Sequence, residues 1–344
     1  MTTEHNLGHL AKRLVAPGKG VLAADESFST IKKRLESVGV ESSETTRRDY
    51  RQMLITTPGL GDFISGIILF DETIRQTTAE GEPLLEVIGR QGMIPGIKVD
   101  TGTVGMARFP GETITEGLDG LRGRLREYRE LGARFTKWRA VIRITDELPT
   151  ETCIRANAHL LARFAALSQE EGLVPIVEPE VLMDGDHSIA RCHAVTEMTL
   201  RAVFDALFDQ RVAFEEMLLK PNMVIAGTGC QSQPDAAEVA EATLNCFRRS
   251  VPAAVPGIVF LSGGQDEVSA TRHLNEMHRL GRAPWELSFS YGRALQAPAL
   301  NEWAGHHENR RAAQEILLHR AHCNSLARSG RYTQEMELDL CSIS

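Results

Sequence analysis

The chain has few cysteines, few aromatic residues, no long apolar run and a deficit of basic side chains, and each scarcity excludes something. Its six cysteines (Cys153, Cys192, Cys230, Cys246, Cys323 and Cys341) form no C-x-x-C pair and no zinc-like spacing. At that density in 344 residues a disulfide framework is not expected, and a reducing compartment is. The longest apolar candidate, Phe63 to Phe70, falls far short of the ~20 residues that cross a bilayer. Met1-Thr2-Thr3-Glu4-His5-Asn6 carries neither the basic nor the apolar region of a secretory signal, so a soluble, cytoplasmic protein is expected. Lys and Arg number 38 against 46 Asp and Glu, a net charge of −8. That balance argues against nucleic acid or an anionic membrane as the main partner, yet leaves room for a small anion held by a local basic cluster.

What the chain does have is a repeated pattern. Eight short apolar runs recur: Val21–Asp25, Phe63–Phe70, Gly96–Asp100, Phe135–Arg139, Val174–Glu180, Leu218–Met223, Ile258–Gly263 and Leu287–Gly292. Near-continuous apolar runs separated by helical patterns indicate parallel strands covered on both faces. Leu160, Leu161, Phe164 and Leu167 have helical spacing behind a start at Thr150-Glu151. Val268, Leu274, Met277 and Leu280 repeat it before Gly281, and Gln233-Pro234-Asp235-Ala236 opens a third helix reaching about Ser250. No linker or low-complexity block divides the chain. The economical arrangement is α/β: a single (β/α)8 TIM barrel over residues 1–330 with an extra N-terminal helix, followed by an irregular, mobile C-terminal tail over 331–344.

The predicted strands end in polar groups: Asp25, Lys98 with Asp100, Lys137 with Arg139, Glu178 with Glu180, Lys220, Ser262, and Ser290 with Arg293 just beyond. Residues two apart in a strand share a face, so Lys137 and Arg139 point the same way, as do Glu178 and Glu180. Barrel active sites are assembled at the C-terminal ends of several strands, so these charges are expected at one catalytic rim. Solvated loop boundaries would explain any one of them singly, but not the coincidence across six strands.

Lys220 is the most informative, because it interrupts Met217-Leu218-Leu219-Lys220-Pro221-Asn222-Met223-Val224-Ile225. Such a lysine can snorkel to water or pair with a buried carboxylate. It can also serve as a nucleophile: apolar flanks, with Lys137 and Lys98 nearby, favour the neutral amine that condenses with a carbonyl to a Schiff base. A protonated Schiff base is an electron sink that lets an adjacent carbon–carbon bond break. Glu178, Glu180 and Asp25 supply carboxylates for the accompanying proton transfers, and paired carboxylates beside lysines can hold different protonation states. Glu178 and Glu180 could equally be counter-ions to Lys137 and Arg139. Leu261-Ser262-Gly263-Gly264-Gln265 leads from strand seven into a helix, and Ser290-Tyr291-Gly292-Arg293 follows strand eight. These are the positions at which this fold binds phosphate. Asp184-Gly185-Asp186-His187 reads as an Asx-type turn and not a metal loop, and Pro17-Gly18-Lys19-Gly20 as a turn before a strand.

From about Leu10 to Thr333 the chain resembles the class I fructose-bisphosphate aldolases. The matching strings are VAPGKGVLAADES, GIKVD, KWRAVI, VPIVEPE, DGDH, LLKPNM, FLSGGQ, SFSYGRALQ and AAQE. The resemblance implies reversible cleavage of fructose 1,6-bisphosphate to dihydroxyacetone phosphate and glyceraldehyde 3-phosphate in glycolysis or gluconeogenesis. It also implies a lysine Schiff base, no metal or other cofactor, and a homotetramer. It makes Lys220 the Schiff-base residue, Glu178 the principal acid–base group with Glu180 beside it, and Asp25 a carboxylate near the cleaved bond. Lys137 and Arg139 would surround the substrate. Ser262, Gly263, Gly264, Ser290, Gly292 and Arg293 would hold the phosphate nearest the ketone, and Lys98, Ser27 and Arg34 the sugar hydroxyls or the other phosphate. The chain departs from the family pattern in Phe28-Ser29-Thr30 after AADES and in Thr101 after KVD. Its last tyrosine is Tyr332, where animal members end in one that folds over the site. A non-catalytic scaffold and a zinc-dependent aldolase are the competing readings. Intact Lys220, Glu178, Asp25 and Arg293 oppose the first, and the lack of a His cluster with ligand spacing opposes the second. The mouth is expected to be locally basic despite the acidic whole.

Overall fold

A computed structural model describes residues 6–338. Eight parallel strands close on themselves: β1 (Gly20–Ala24), β2 (Ile64–Leu69), β3 (Ile94–Lys98), β6 (Phe135–Ile142), β7 (Val174–Val181), β8 (Leu218–Leu219), β9 (Gly257–Phe260) and β10 (Glu286–Tyr291). Going round the barrel, their order is β1-β10-β9-β8-β7-β6-β3-β2. The remaining two strands, β4 (Gly102–Gly105) and β5 (Thr113–Glu116), form an antiparallel hairpin between β3 and β6 that the eight-run pattern does not contain.

The helices are α1 (Leu7–Leu14), α2 (Phe28–Glu36), α3 (Glu44–Ile55), α4 (Asp71–Ile74), α5 (Leu84–Arg90), α6 (Leu121–Leu131), α7 (Glu151–Glu170), α8 (Ile189–Asp209), α9 (Ala236–Ser250), α10 (Glu267–Arg279), α11 (Arg293–Trp303) and α12 (Arg310–Ala327). The three helices read from periodicity start on side-chain caps. Thr150 accepts from the Cys153 N–H, Asp235 forms a capping box with Glu238, and Asp266 accepts from the Ser269 N–H.

Strand periodicity decides where the chemistry sits. Val21, Ala23, Ile68, Ile94, Phe135, Val174, Ile176, Leu218 and Val259 form one buried cluster filling the lower barrel, and Ala11, Leu14 and Val15 from α1 and its end close it from below. The neighbours of opposite parity, such as Leu22, Ile67, Ile97, Trp138, Val177 and Leu219, join the larger core under the helices. Gly96 is required inside: a Cβ there would lie 2.2 Å from the Phe135 ring. Continuing the inward parity upward gives Asp25 after Val21 and Ala23, Lys98 after Ile94 and Gly96, and Lys137 and Arg139 after Phe135. It likewise gives Glu178 and Glu180 after Val174 and Ile176, and Lys220 after Leu218. The same faces are apolar at the bottom and charged at the top.

β8 is shorter than the expected Leu218–Met223 run, for a local reason. The Lys220 N–H still donates to the Val177 carbonyl at 2.8 Å, but Pro221 has no N–H to continue the ladder. The Asn222 side chain substitutes for it: Oδ1 accepts from the Val181 N–H at 3.0 Å, and Nδ2 donates to Thr196 Oγ1 at 3.2 Å.

Residues 331–338 lie against the outer helices. The Tyr332 N–H donates to Asn275 Oδ1 at 3.0 Å, and its hydroxyl donates to Glu337 Oε1 at 2.6 Å. The rest of the expected tail, 339–344, lies outside the described residues, as do residues 1–5. The five described cysteines are all unbridged, and no helix among the described residues is long and apolar enough to cross a membrane.

Candidate active site

One cavity of about 1280 Å³ opens at the C-terminal end of the barrel. Every site residue named from the sequence lines it except Gly264. Gly264 stands behind it, where a Cβ would lie 3.3 Å from Arg293 Nη2 and 3.2 Å from Met183 Sδ. Eight lysines and arginines and six aspartates and glutamates line the cavity. The mouth is thus locally basic in a chain of net charge −8, as expected.

Four charges make up the floor. Glu178 lies between two lysines, with Oε1 3.1 Å from Lys220 Nζ and Oε2 3.1 Å from Lys137 Nζ. Lys137 Nζ is also 2.6 Å from Asp25 Oδ2. Glu178, Lys137 and Lys220 are each 3–4% exposed, so these interactions act largely without water between them. Burial alone would raise the Glu178 carboxyl, but Lys137, Lys220 and Arg139 outweigh it and hold it below its ordinary value. Asp25 behaves the same way. Burial pushes up, while Lys137, then Lys220 and Lys98, bring it well below the usual carboxylate range. Burial disfavours the charged form of Lys137, yet Asp25 and Glu178 more than compensate, and its ammonium persists well above the usual lysine range.

Two sequence expectations are corrected here. Like-charged neighbours were expected around Lys220, but a carboxylate stands between it and Lys137, because Glu178 is the next inward position on the adjacent strand. A split in protonation among the carboxylates was also expected, yet both Asp25 and Glu178 are held ionised by the shared lysine.

Around this floor the other residues are committed to different degrees. The guanidinium of Arg139 bonds Glu180, and the Arg139 N–H donates to Asp100 Oδ2 at 3.3 Å. Lys98 pairs with Asp100 at 2.6 Å. Arg34 bonds Glu26, which is held from below by the buried Arg51 at 2.9 Å. Arg293, by contrast, makes no ion pair among the described residues, and neither does Lys33 beside Arg34. The Ser290 hydroxyl is buried without a hydrogen-bond partner. Gly263 and Gly264 take φ of +59° and +100°, a conformation that glycine adopts at little cost. With it the loop can turn backbone N–H groups toward an anion ahead of α10. Two uncommitted cations, an unpartnered hydroxyl and this backbone nest form an arrangement suited to phosphate groups.

Ser27 precedes α2, its Oγ 3.2 Å from Ser29 Oγ and 3.1 Å from Thr30 Oγ1. Glu26, Lys33 and Arg124 also line the cavity, although no sequence motif singled them out as site residues. Position within AADES, next to Asp25 and Ser27, was the available signal for Glu26. The departure at Phe28 is explained by contact: its ring meets Phe70 edge-on at 5.1 Å and lies 4.9 Å from the Arg47 guanidinium.

Three other sequence features lie off the site. Tyr332 is buried against α10 and α12. Lys19 donates to the Gly61 carbonyl at 2.6 Å, below the barrel. The 184–187 turn is clasped by main-chain bonds from 227–229, including Gly229 N–H to Gly185 carbonyl at 2.7 Å, not by Asx bonds.

Residues 6–342 match the family model for fructose-bisphosphate aldolase class-I. A probable fructose-bisphosphate aldolase class 1 of Xanthomonas campestris is 58% identical over 327 residues, covering 95% of this chain and 98% of its own. The cytosolic fructose-bisphosphate aldolase 6 of Arabidopsis thaliana is 53% identical over 324 residues, covering 94% and 90% respectively. Among solved structures, fructose-bisphosphate aldolase from Plasmodium falciparum, in complex with TRAP and a small-molecule inhibitor, superimposes with a TM-score of 0.95. It is 49% identical over 96% of both chains. The chain belongs to the class I fructose-bisphosphate aldolases, metal-independent lyases that act through a Schiff base.

Proposed function

We propose that Lys220 is the Schiff-base residue of this aldolase and that Glu178 shuttles its protons. The carrying observation is the position of Glu178, buried and 3.1 Å from both Lys220 and Lys137. Glu178, as an ionised carboxylate, takes a proton from the Lys220 ammonium. The freed amine adds to the ketone carbon of the open-chain sugar to give a carbinolamine. At that stage one of the cations holding the Glu178 proton affinity down has disappeared, so the same carboxyl becomes a better acid. It returns its proton to the departing hydroxyl, water leaves, and the protonated Schiff base forms.

Asp25 then accepts the proton of the C4 hydroxyl, the C3–C4 bond breaks, and its electron pair moves into the Schiff base as an enamine. Glyceraldehyde 3-phosphate leaves first. Asp25 gives up its proton as the enamine carbon is protonated, and hydrolysis of the protonated Schiff base releases dihydroxyacetone phosphate and restores the Lys220 ammonium. Lys137 stays charged throughout and keeps Asp25 and Glu178 ionised between steps. Glu180 orients Arg139 toward the sugar hydroxyls.

Ser262, Gly263, Gly264, Ser290, Gly292 and Arg293 bind the phosphate near the ketone. Ser27, Arg34 and Lys98 serve the sugar hydroxyls and the far phosphate. The enzyme works in the cytoplasm as a homotetramer, a reading supported by its family and by relatives named as cytosolic. Comparing fructose 1,6-bisphosphate with fructose 1-phosphate tests the far-phosphate assignment. Arg34→Ala should raise KM for the bisphosphate and leave that for the monophosphate unchanged; an equal rise for both would refute it.

A further inference from the structure

We propose that His319, Cys323 and Glu337 form a site for a zinc-class divalent transition ion that fastens the C-terminal segment to α12. His319 and Cys323 stand four residues apart on α12, hence on one face. Glu337 reaches them from the short 3₁₀ turn Gln334–Leu338. Their ligand atoms all lie within 4.8 Å of one another.

Cys323 Sγ is 3.5 Å from His319 Nε2. A tetrahedral zinc holding sulfur at about 2.3 Å and nitrogen at about 2.0 Å would separate those two atoms by about 3.5 Å. The pair is therefore set to receive the ion with little movement. A thiolate, an imidazole and one carboxylate suit zinc, cobalt or nickel, and not calcium or magnesium, which demand oxygen.

The surroundings match what metal ligands need. Metal-binding carboxylates are usually oriented by outer hydrogen bonds. Tyr332 donates to Glu337 Oε1 at 2.6 Å, and Arg320 bonds Oε2. Arg320 is itself held by the Glu267 carbonyl at 2.8 Å and Thr271 Oγ1 at 2.6 Å. His319 and Cys323 are buried, whereas the Glu337 side chain is 17% exposed. The ion would enter past Glu337, with water as the fourth ligand. None of these residues lines the catalytic cavity, so aldol cleavage proceeds whether or not the ion is bound. A thiol-to-imidazole hydrogen bond would give the same 3.5 Å with no ion, and the experiment separates the two.

The full-length protein, stripped with chelator and dialysed, is titrated with cobalt(II). The expected result is about one equivalent per chain, with thiolate-to-cobalt charge-transfer absorption that zinc abolishes by displacement. Cys323→Ser should eliminate the charge-transfer band and Tyr332→Phe should weaken cobalt affinity about tenfold, while Cys230→Ser leaves both unchanged. Unaltered cleavage of fructose 1,6-bisphosphate by each variant confirms that it is folded. No band in the unsubstituted protein, or a band that survives Cys323→Ser, overturns the proposal.

Discussion

Replacing Lys137 with methionine gives the sharpest test of the floor's electrostatics. Methionine keeps the length and removes the charge, leaving Asp25 and Glu178 buried without the cation that lies 2.6 and 3.1 Å from them. Removing one partner of a buried ion pair costs about 3–5 kcal/mol, because the other is left uncompensated. With an unfolding entropy of about 2.1 cal/mol/K per residue, that corresponds to a fall in Tm of roughly 4–7 °C. The pH dependence distinguishes this from simple loss of packing. In the native protein both carboxyls are lowered by folding, so they contribute stability above the ordinary carboxylate pKa and lose it as pH falls through their folded values. In Lys137→Met burial is no longer offset by Lys137. The folded carboxyls move up, and stability is lost as pH rises through the new values. The Tm difference should therefore be smallest in strong acid, widen as pH rises from the native folded values through the new ones, and level off above them. Asp25→Asn added to Lys137→Met should recover part of it. Scanning calorimetry across pH checks both. A Tm difference that does not change with pH, or no recovery in the double variant, would refute the reasoning.

Gly264→Ala places a Cβ 3.3 Å from Arg293 Nη2 and 3.2 Å from Met183 Sδ, at a backbone φ of +100°. Strain of about 1–3 kcal/mol there should lower Tm by roughly 1–4 °C, and the loop shift that relieves it should draw the backbone N–H groups off the phosphate and raise KM by roughly tenfold in a coupled cleavage assay; an unchanged KM would contradict the role of this loop. Because the mouth carries an excess of cations, KM for the bisphosphate should rise between 0.1 M and 1 M salt, over which the Debye length falls from about 10 to about 3 Å. Turnover at saturation should change little, and a salt-independent KM would count against steering by the mouth. Glu178→Gln retains the shape of the side chain but cannot take the Lys220 proton, so turnover should fall by about 10²–10⁴. Rapid-quench kinetics should place the loss in Schiff-base formation, and a normal rate for that step would exclude Glu178 from it.

The parity of the strands carried most of this architecture in readable form. Phe135, Lys137 and Arg139 share one face, so one strand announced both an apolar floor and a charged rim, and the same holds for Val174 through Glu180. Cross-strand neighbours were not legible, because register between distant segments is not written in local sequence. That is why Glu178 and Glu180 read together as counter-ions to Lys137 and Arg139, and the bridge that Glu178 makes between Lys137 and Lys220 was not visible. The β4–β5 hairpin escaped because its strands are four residues each, β4 largely exposed and β5 partly buried, with no apolar run to mark them. Its function is visible only in tertiary bonds, such as Thr115 Oγ1 to the Arg139 carbonyl at 2.8 Å. The end of β8 was legible in principle: Pro221 forbids a ladder bond, and an asparagine directly after it can supply one.

Catalysis depends on a covalent bond to one amine. Incubating the enzyme with dihydroxyacetone phosphate, reducing with borohydride and mapping the adduct by peptide mass tests that bond directly. The adduct should fall on Lys220, at one per chain, with activity lost in proportion. Labelling of a different lysine, or full activity after stoichiometric labelling, would contradict it.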